Sequence, residues 1–489
     1  MGFLAALKAH GAPIRVEAIG KSDKGRDIPL VILSRPLVKN AAEARRLKRP
    51  VVYLQANIHA GEVEGKEAVL ALLRDLSRQP KGLADKLVIL ATPIYNIDGN
   101  EAWGEGRVNR SHQNGPARIG LRTNGKGLDL NRDAIKAESP EMRAALEHIY
   151  TAWEPDVMMD LHTTDGTRHG YQLTYAPPLN PNTEPRVLRF TRDELLPGIR
   201  RKLAARGIAT QDYGNVEGTG SERAWRTVEP EPRYVTNYVG LRNRIAILSE
   251  AASFLLFKTR IDVTRAFIDA VLDETARQAR TILDLTRAAD SRVTAEGRRG
   301  ETKLGVRFEM AKRGTESVPL EKLPPGAAVD HMSAPLALES IDLPIYDRFT
   351  PTKTARLPSA YLIPGAETAV VDLLRRHGIA VETLKQEWRG LVERFVVEQR
   401  QESRTPFQGH RLVRLDGHFE QTTGGALPGA FLVRTSQPLG RLIFSLLEPE
   451  SLDGVAAWGI LKDPVTPDGA FAILKLTGPP ELSDTAHDR

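Results

Sequence analysis

The sequence predicts an α/β protein: a mostly parallel, helix-covered sheet followed by a smaller β-rich region. Two observations carry this. Residues 1 to about 290 alternate apolar, strand-like runs with segments of helical periodicity, the pattern of parallel strands joined by helical crossovers. Beyond about residue 300 the texture changes to short alternating runs broken by Gly and Pro. The chain has 489 residues, too many for one hydrophobic core, so two or more domains are expected.

The elements follow in order. Phe3 to Lys8 reads as a helix already under way, with no cap and no signal-peptide architecture. The natural chain is therefore expected to start further upstream, which leaves export to the periplasm or medium open. Ile28–Leu33 and Pro50–Ile58 read as strands, and Val63–Arg78 as a helix with Val69, Leu70, Leu72, Leu73 and Leu76 on its apolar face. Lys86–Tyr95 is a strand. Glu138–Tyr150 is a helix capped by Ser139 with Pro140 in its first turn. The run ending at Leu161 is a strand; Thr191–Arg206 is a helix that Pro197 kinks or splits. Ile245–Ser249 is a strand, and a long helix, Ile261–Ala288, closes a first domain spanning 1–290. Residues 291–300, polar and basic, read as a linker. An accessory β-rich domain is expected over 301–489, with a proline-rich stretch from Pro319 to Pro364 and one clear helix, Thr368–His377.

Composition narrows the function. Hydrophobic content of 41% and charged content of 27% are ordinary for a globular protein. The net charge of +6 is spread along the chain, so no nucleic-acid partner is expected. No apolar stretch is long enough to span a bilayer. With no cysteine, disulfides, thiolate ligands and a Cys nucleophile are excluded, and any metal must be held by His and carboxylates.

Three potential metal or catalytic groups follow strand-like runs, where open α/β sheets place their chemistry. His59 and Glu62 lie across a strand-to-helix turn, with Gly61 between them. His162 follows Val157–Leu161, and Asp160, two residues earlier, points to the same side and could orient a ligating His. A His₂Glu set of His59, Glu62 and His162 meets the ligand count of a catalytic zinc ion, with a position left for water. Taken alone, each has a plainer reading, as a turn His, a helix N-terminal Glu or a strand-end His. Glu250 stands in an apolar run that would raise its pKa toward the range of a general base; the plainer reading pairs it with Arg242 or Arg244. Asn131 and Arg132 can together hold a carboxylate, and Arg122 can polarise a carbonyl or stabilise its oxyanion, although lone arginines usually form surface ion pairs.

The set His-x-x-Glu after a strand, an Arg followed by Gly127-Leu128-Asp129-Leu130-Asn131-Arg132, a distant His and a later Glu resembles the zinc carboxypeptidases of the M14 family over roughly residues 15 to 290. Gly20–Arg26 and Asn237–Arg244 look like the bacterial members, and the C-terminal part resembles an accessory region on some of them. The resemblance implies an α/β/α sandwich around a mixed, largely parallel sheet. It implies one Zn²⁺ held by His59, Glu62 and His162, with Glu250 as general base. Asn131 and Arg132 would dock the terminal carboxylate of a peptide substrate, and Arg122 would act on its carbonyl. Tyr238, with Tyr234, is a candidate for the substrate-capping tyrosine. The expected activity is removal of C-terminal residues from peptides. The rivals are a zinc amidase or deacylase on N-acyl amino acids or cell-wall peptides, and a non-catalytic peptide- or glycan-binding scaffold. Arg233, Arg242 and Arg244 suggest a preference for acidic side chains.

Overall fold

The computed structural model describes residues 2–322, 337–476 and 478, and the backbone of 485–487. Its centre is an eight-stranded sheet. The strands are β1 (Ile14–Lys21), β2 (Asp27–Leu33), β3 (Val51–Ala56), β4 (Val88–Thr92), β5 (Val157–Thr164), β6 (Leu173–Ala176), β7 (Thr210–Asp212) and β8 (Ile245–Ala252). Their order is β1-β2-β4-β3-β5-β8-β6-β7. The middle of the sheet, β4-β3-β5-β8, is parallel, whereas β1, β2 and β4 join antiparallel, as do β8 and β6. The sheet is thus mixed and largely parallel, as expected.

Every residue of β3, β5 and β8 is buried. Near-continuous apolar runs such as Val51-Val52-Tyr53-Leu54 form strands there because helices cover both faces. Helix α1 (Glu64–Arg78) lays Ala68, Val69, Leu72, Leu73 and Leu76 on one face, and Leu70 packs at the margin. Each fully buried Leu contributes roughly 1.5–3 kcal/mol. Ser139 caps the helix Pro140–Ala145 by accepting from the Met142 N–H at 3.0 Å. The stretch divides beside Pro197: a π-helical segment, Phe190–Leu195, gives way to the α-helix Leu196–Ala204, whose first turn holds the proline.

Residues 291–300 are not a linker. Two helices close this part, α2 (Phe257–Arg277) and α3 (Ala279–Arg299), and α3 runs through the whole basic stretch before Gly300 ends it at φ +65°. Charges of the stretch have partners in other segments: Arg292 pairs with Glu184 at 2.8 Å, and Glu296 pairs with Arg441 at 2.9 Å.

The C-terminal part is β-rich. Two long strands, β9 (Lys303–Glu321) and β10 (Leu338–Arg356), form an antiparallel pair, and β10 also pairs with Ala224–Arg226. A second pair, β11 (Trp388–Glu402) and β12 (Val413–Ala426), belongs to a seven-stranded sheet. Of the proline-rich stretch, residues 323–336 lie outside the described residues. Beside the expected helix, Thr368–Arg376, there is a second, Gly440–Leu447, all of it buried. One hydrophobic cluster runs from Tyr53, Ile149 and Met158 to Tyr361, Val433 and Leu442, so the two parts share a core. No helix among the described residues is long and apolar enough to cross a membrane.

Candidate metal centre and substrate cleft

The sheet register brings the strand-end residues together. In the β5–β8 ladder His162 lies directly opposite Glu250, and in the β3–β5 ladder Gln55 lies opposite Asp160. His59 and Glu62 follow β3 on a turn closed by the Glu62 N–H donating to the His59 carbonyl at 2.9 Å. The turn begins at Asn57, which takes φ +61° and donates from Nδ2 to the Ala60 and Glu62 carbonyls. Gly61 has a steric role, since a Cβ there would meet the Gly120 carbonyl at 3.3 Å.

His59, Glu62 and His162 each offer a ligand atom within 4.8 Å of the others, and all three are buried. Glu62 Oε1 lies 3.0 Å from His59 Nδ1 and Oε2 lies 2.9 Å from His162 Nδ1. These separations approach the edge of a zinc tetrahedron, about 3.3 Å for ligand bonds near 2.0–2.1 Å. The opposite ring nitrogens are held by carboxylates. His59 Nε2 donates to Asp129 Oδ1 at 3.0 Å and His162 Nε2 to Asp160 Oδ2 at 2.8 Å. Asp160 is itself fixed by Gln55 at 3.1 Å. A carboxylate behind each imidazole places the proton on Nε2 and turns the Nδ1 lone pair toward the centre, as metal-ligating histidines require. The residues present therefore fit a zinc ion.

The electrostatics agree. Burial works against ionisation of Glu62, but Arg110 and the two imidazoles outweigh it and hold the carboxyl well below its usual range. Burial likewise opposes charge on His162, yet Asp160 and Glu62 raise its pKa well above the ordinary value. A site this rich in negative charge favours a cation. Glu250 is the exception: burial pushes it up to about 8, against the pull of His162. Neither Arg242 nor Arg244 pairs with it. Arg242 Nη1 bonds the Tyr238 hydroxyl and the His377 carbonyl, and Arg244 bonds Asp290.

These groups line a cavity of about 380 Å³ with Arg110, Arg122, Asn131, Arg132 and Tyr234. Arg122 grips Asp129 Oδ2 through Nε and Nη2 at 3.0 and 2.8 Å, while its Nη1 stands 3.2 Å from His59 Nδ1. Asn131 Oδ1 accepts from the Val235 N–H at 3.0 Å. Arg132 lies over the Tyr234 ring at 4.2 Å. An apolar cluster of Ala176, Leu179, Tyr213 and Leu248, with Val228 packed against it, also lines the cavity.

Two expectations are corrected. Tyr238 does not reach the cavity; its ring is fully buried and its hydroxyl bonds His377 Nδ1 at 2.8 Å. Tyr234 lines the cleft instead. Arg233, Arg242 and Arg244 do not line it either. Arg233 is paired with Asp453 at 2.7 Å, so the three give no basis for an acidic-substrate preference.

Sequence reasoning missed two residues. Asp129 was part of a quoted motif, but its bond to His59 joins residues 70 apart. Arg110, bonded to Glu62 Oε1 at 2.7 Å and to the Thr163 carbonyl, carries no local signal at all. The C-terminal part also reaches the centre: Gln408, at φ +50°, accepts the Asp129 N–H at 2.9 Å.

Residues 2–176 match the family model described as zinc carboxypeptidase. A Carboxypeptidase 2 from Trichophyton rubrum is 24% identical, over 97% of this chain and 85% of that protein. Another, from Trichophyton equinum, is 22% identical over 93% and 81%. Among solved structures, a metallo-carboxypeptidase from Pseudomonas aeruginosa is 22% identical over 57% of this chain and 68% of that one, with a TM-score of 0.41. The matched segment contains His59, Glu62, Asn131, Arg132 and His162, so the part of the chain that builds the centre is similar to the zinc carboxypeptidases.

Proposed function

We propose that the protein hydrolyses C-terminal residues from peptides as a metallocarboxypeptidase, with one zinc ion held by His59, Glu62 and His162. The observation that carries this reading is the pairing of two carboxylate-backed imidazoles around Glu62 with a buried Glu250 opposite His162. When bound, zinc supplies Lewis acidity toward a water and a carbonyl oxygen. Glu250 takes the proton of the attacking water and delivers it to the leaving amine. Its burial keeps it basic enough for both transfers. Arg132 and Asn131 hold the terminal carboxylate, Arg132 through its guanidinium fork. Arg122, anchored on Asp129, faces the oxygen where negative charge develops. The terminal side chain lies against Ala176, Leu179, Val228 and Leu248, which favours apolar residues.

The test is mass spectrometry of a mixed peptide library after incubation with zinc-loaded protein, beside a chelated control. Zinc-dependent ladders that shorten from the C-terminus, fastest at apolar termini, are expected. A library left intact while N-acyl amino acids are cleaved would overturn the reading in favour of a deacylase. Failure to retain zinc would favour a binding scaffold.

A further inference from the structure

We propose a second cation site, for a hard divalent ion of the calcium type, where Asp23, Asp98 and Glu141 converge on the loop that carries Arg122 and Asp129. The three carboxylates each offer an oxygen within 4.8 Å of the others. They come from separate segments: the turn between β1 and β2, the short helix Ile97–Glu101, and the start of the helix Pro140–Ala145. Asp98 is 1% exposed and Glu141 is fully buried.

The cluster is incompletely satisfied. Asp98 accepts from Ser22 Oγ at 2.8 Å, Arg26 Nη1 at 2.6 Å and the Lys24 N–H at 2.9 Å. Asp23 accepts from Asn124 Nδ2 at 3.0 Å and pairs with Lys126 at 3.1 Å. Glu141 Oε2 takes the same Asn124 amide, at 3.3 Å, and its Oε1 is buried with no side-chain hydrogen-bond partner. A buried carboxylate oxygen without a donor is costly, and a cation between the carboxylates supplies what is missing. The two neighbouring positive charges, Arg26 and Lys126, sit on side chains that are 40% and 67% exposed, so they can yield to an ion. Gly125 lets the loop close over the pair, because a Cβ there would stand 2.6 Å from Asp98 Oδ2 and 3.2 Å from Asp23 Cβ.

The donors select the ion. An all-oxygen, all-carboxylate set suits calcium or magnesium and not zinc, which prefers imidazole. Calcium tolerates irregular coordination completed by water, whereas magnesium demands a near-ideal octahedron, so calcium is the better match. Bound there, it would tie the Ser22–Arg26 turn, the helix Ile97–Glu101 and the Asn124 loop to the helix at Pro140. That braces the segment from which Arg122 and Asp129 reach the metal centre.

The experiment is calorimetric titration of zinc-loaded, calcium-free protein with calcium chloride, with metal content measured after dialysis and melting followed in parallel. One calcium per chain beyond the zinc is expected, together with a higher melting midpoint. Asp23→Asn and Glu141→Gln should each weaken uptake at least about tenfold while zinc content is unchanged. No uptake by the unmodified protein at millimolar calcium would overturn the proposal. So would unchanged affinity in Glu141→Gln or, should that buried variant fold poorly, in Asp23→Asn at the cluster's rim.

Discussion

His162 and Glu250 sit on adjacent parallel strands, whereas Arg110, Arg122, Asp129 and Arg132 come from a mostly irregular segment between β4 and β5. The two groups are held by different physics. A backbone ladder sets His162 opposite Glu250, and the buried faces of β5 and β8 prevent a register slip, since a one-residue shift would turn every side chain to the other face. The loop residues have no ladder. They are held by side-chain bonds to one another and to distant chain: Asp129 to His59, Arg122 to Asp129, Arg110 to Glu62, and Gln408 to the Asp129 backbone. On the proposed roles, the strand-borne pair would do the work that tolerates least displacement, and the loop-borne arginines the work that adjusts to a substrate.

That contrast can be broken or sharpened by substitution, beginning with the strands. His162→Ala should lose both the metal and turnover, measured as zinc content and peptide hydrolysis; full zinc retention would remove His162 from the ligand set. Glu250→Ala should keep zinc but lose at least about 10²-fold in kcat, the worth of a general base. Unchanged turnover would exclude it from the proton transfers. On the loop, Asp129→Asn should weaken zinc binding by about 10- to 100-fold, the usual effect of removing a carboxylate behind a ligating imidazole. Competition with a chelator reads this directly, and unaltered affinity would show that the loop does not support His59. Gln408→Ala should have the smallest effect, a few-fold rise in KM with zinc retained, because one neutral hydrogen bond is worth about 0.5–1.5 kcal/mol.

The pH profile separates the two groups in another way. Burial raises Glu250 to about 8, and a base works only when ionised, so kcat/KM should rise with pH as Glu250 loses its proton. Positive charge lowers that pKa, so the rise should fall below pH 8 once zinc is bound, and it should vanish in Glu250→Ala. Persistence of the same limb in that variant would assign it elsewhere.

The same contrast explains what could be read in advance. His59, His162 and Glu250 each end an apolar run, and a buried parallel strand leaves that mark in the sequence. Asp160 was legible for a related reason, since residues two apart on a strand share a side. Asp129 and Arg110 leave no such mark, because their roles arise from contacts across 70 and 48 positions. Tyr238 was misplaced because the helix Val235–Leu241 is buried all round, and its hydroxyl turns to His377, 139 residues later, and not to the cleft. The stretch at 291–300 has the composition of a linker, yet Arg292 and Glu296 find partners in other segments and the helix continues.

Local pattern alone thus determined the alternation of strands and helices, and it offered His59, Glu62, His162 and Glu250 as candidates at or just after strands. Hydrophobic periodicity and strand termini are properties of neighbouring residues, and short-range physics acts on them directly. Only the tertiary structure decided that Asp129 stands behind His59, which arginines face the cleft, and how the C-terminal part meets Asp129. Those are meetings of side chains far apart in the chain, and their energies exist only once the shared core has brought them together.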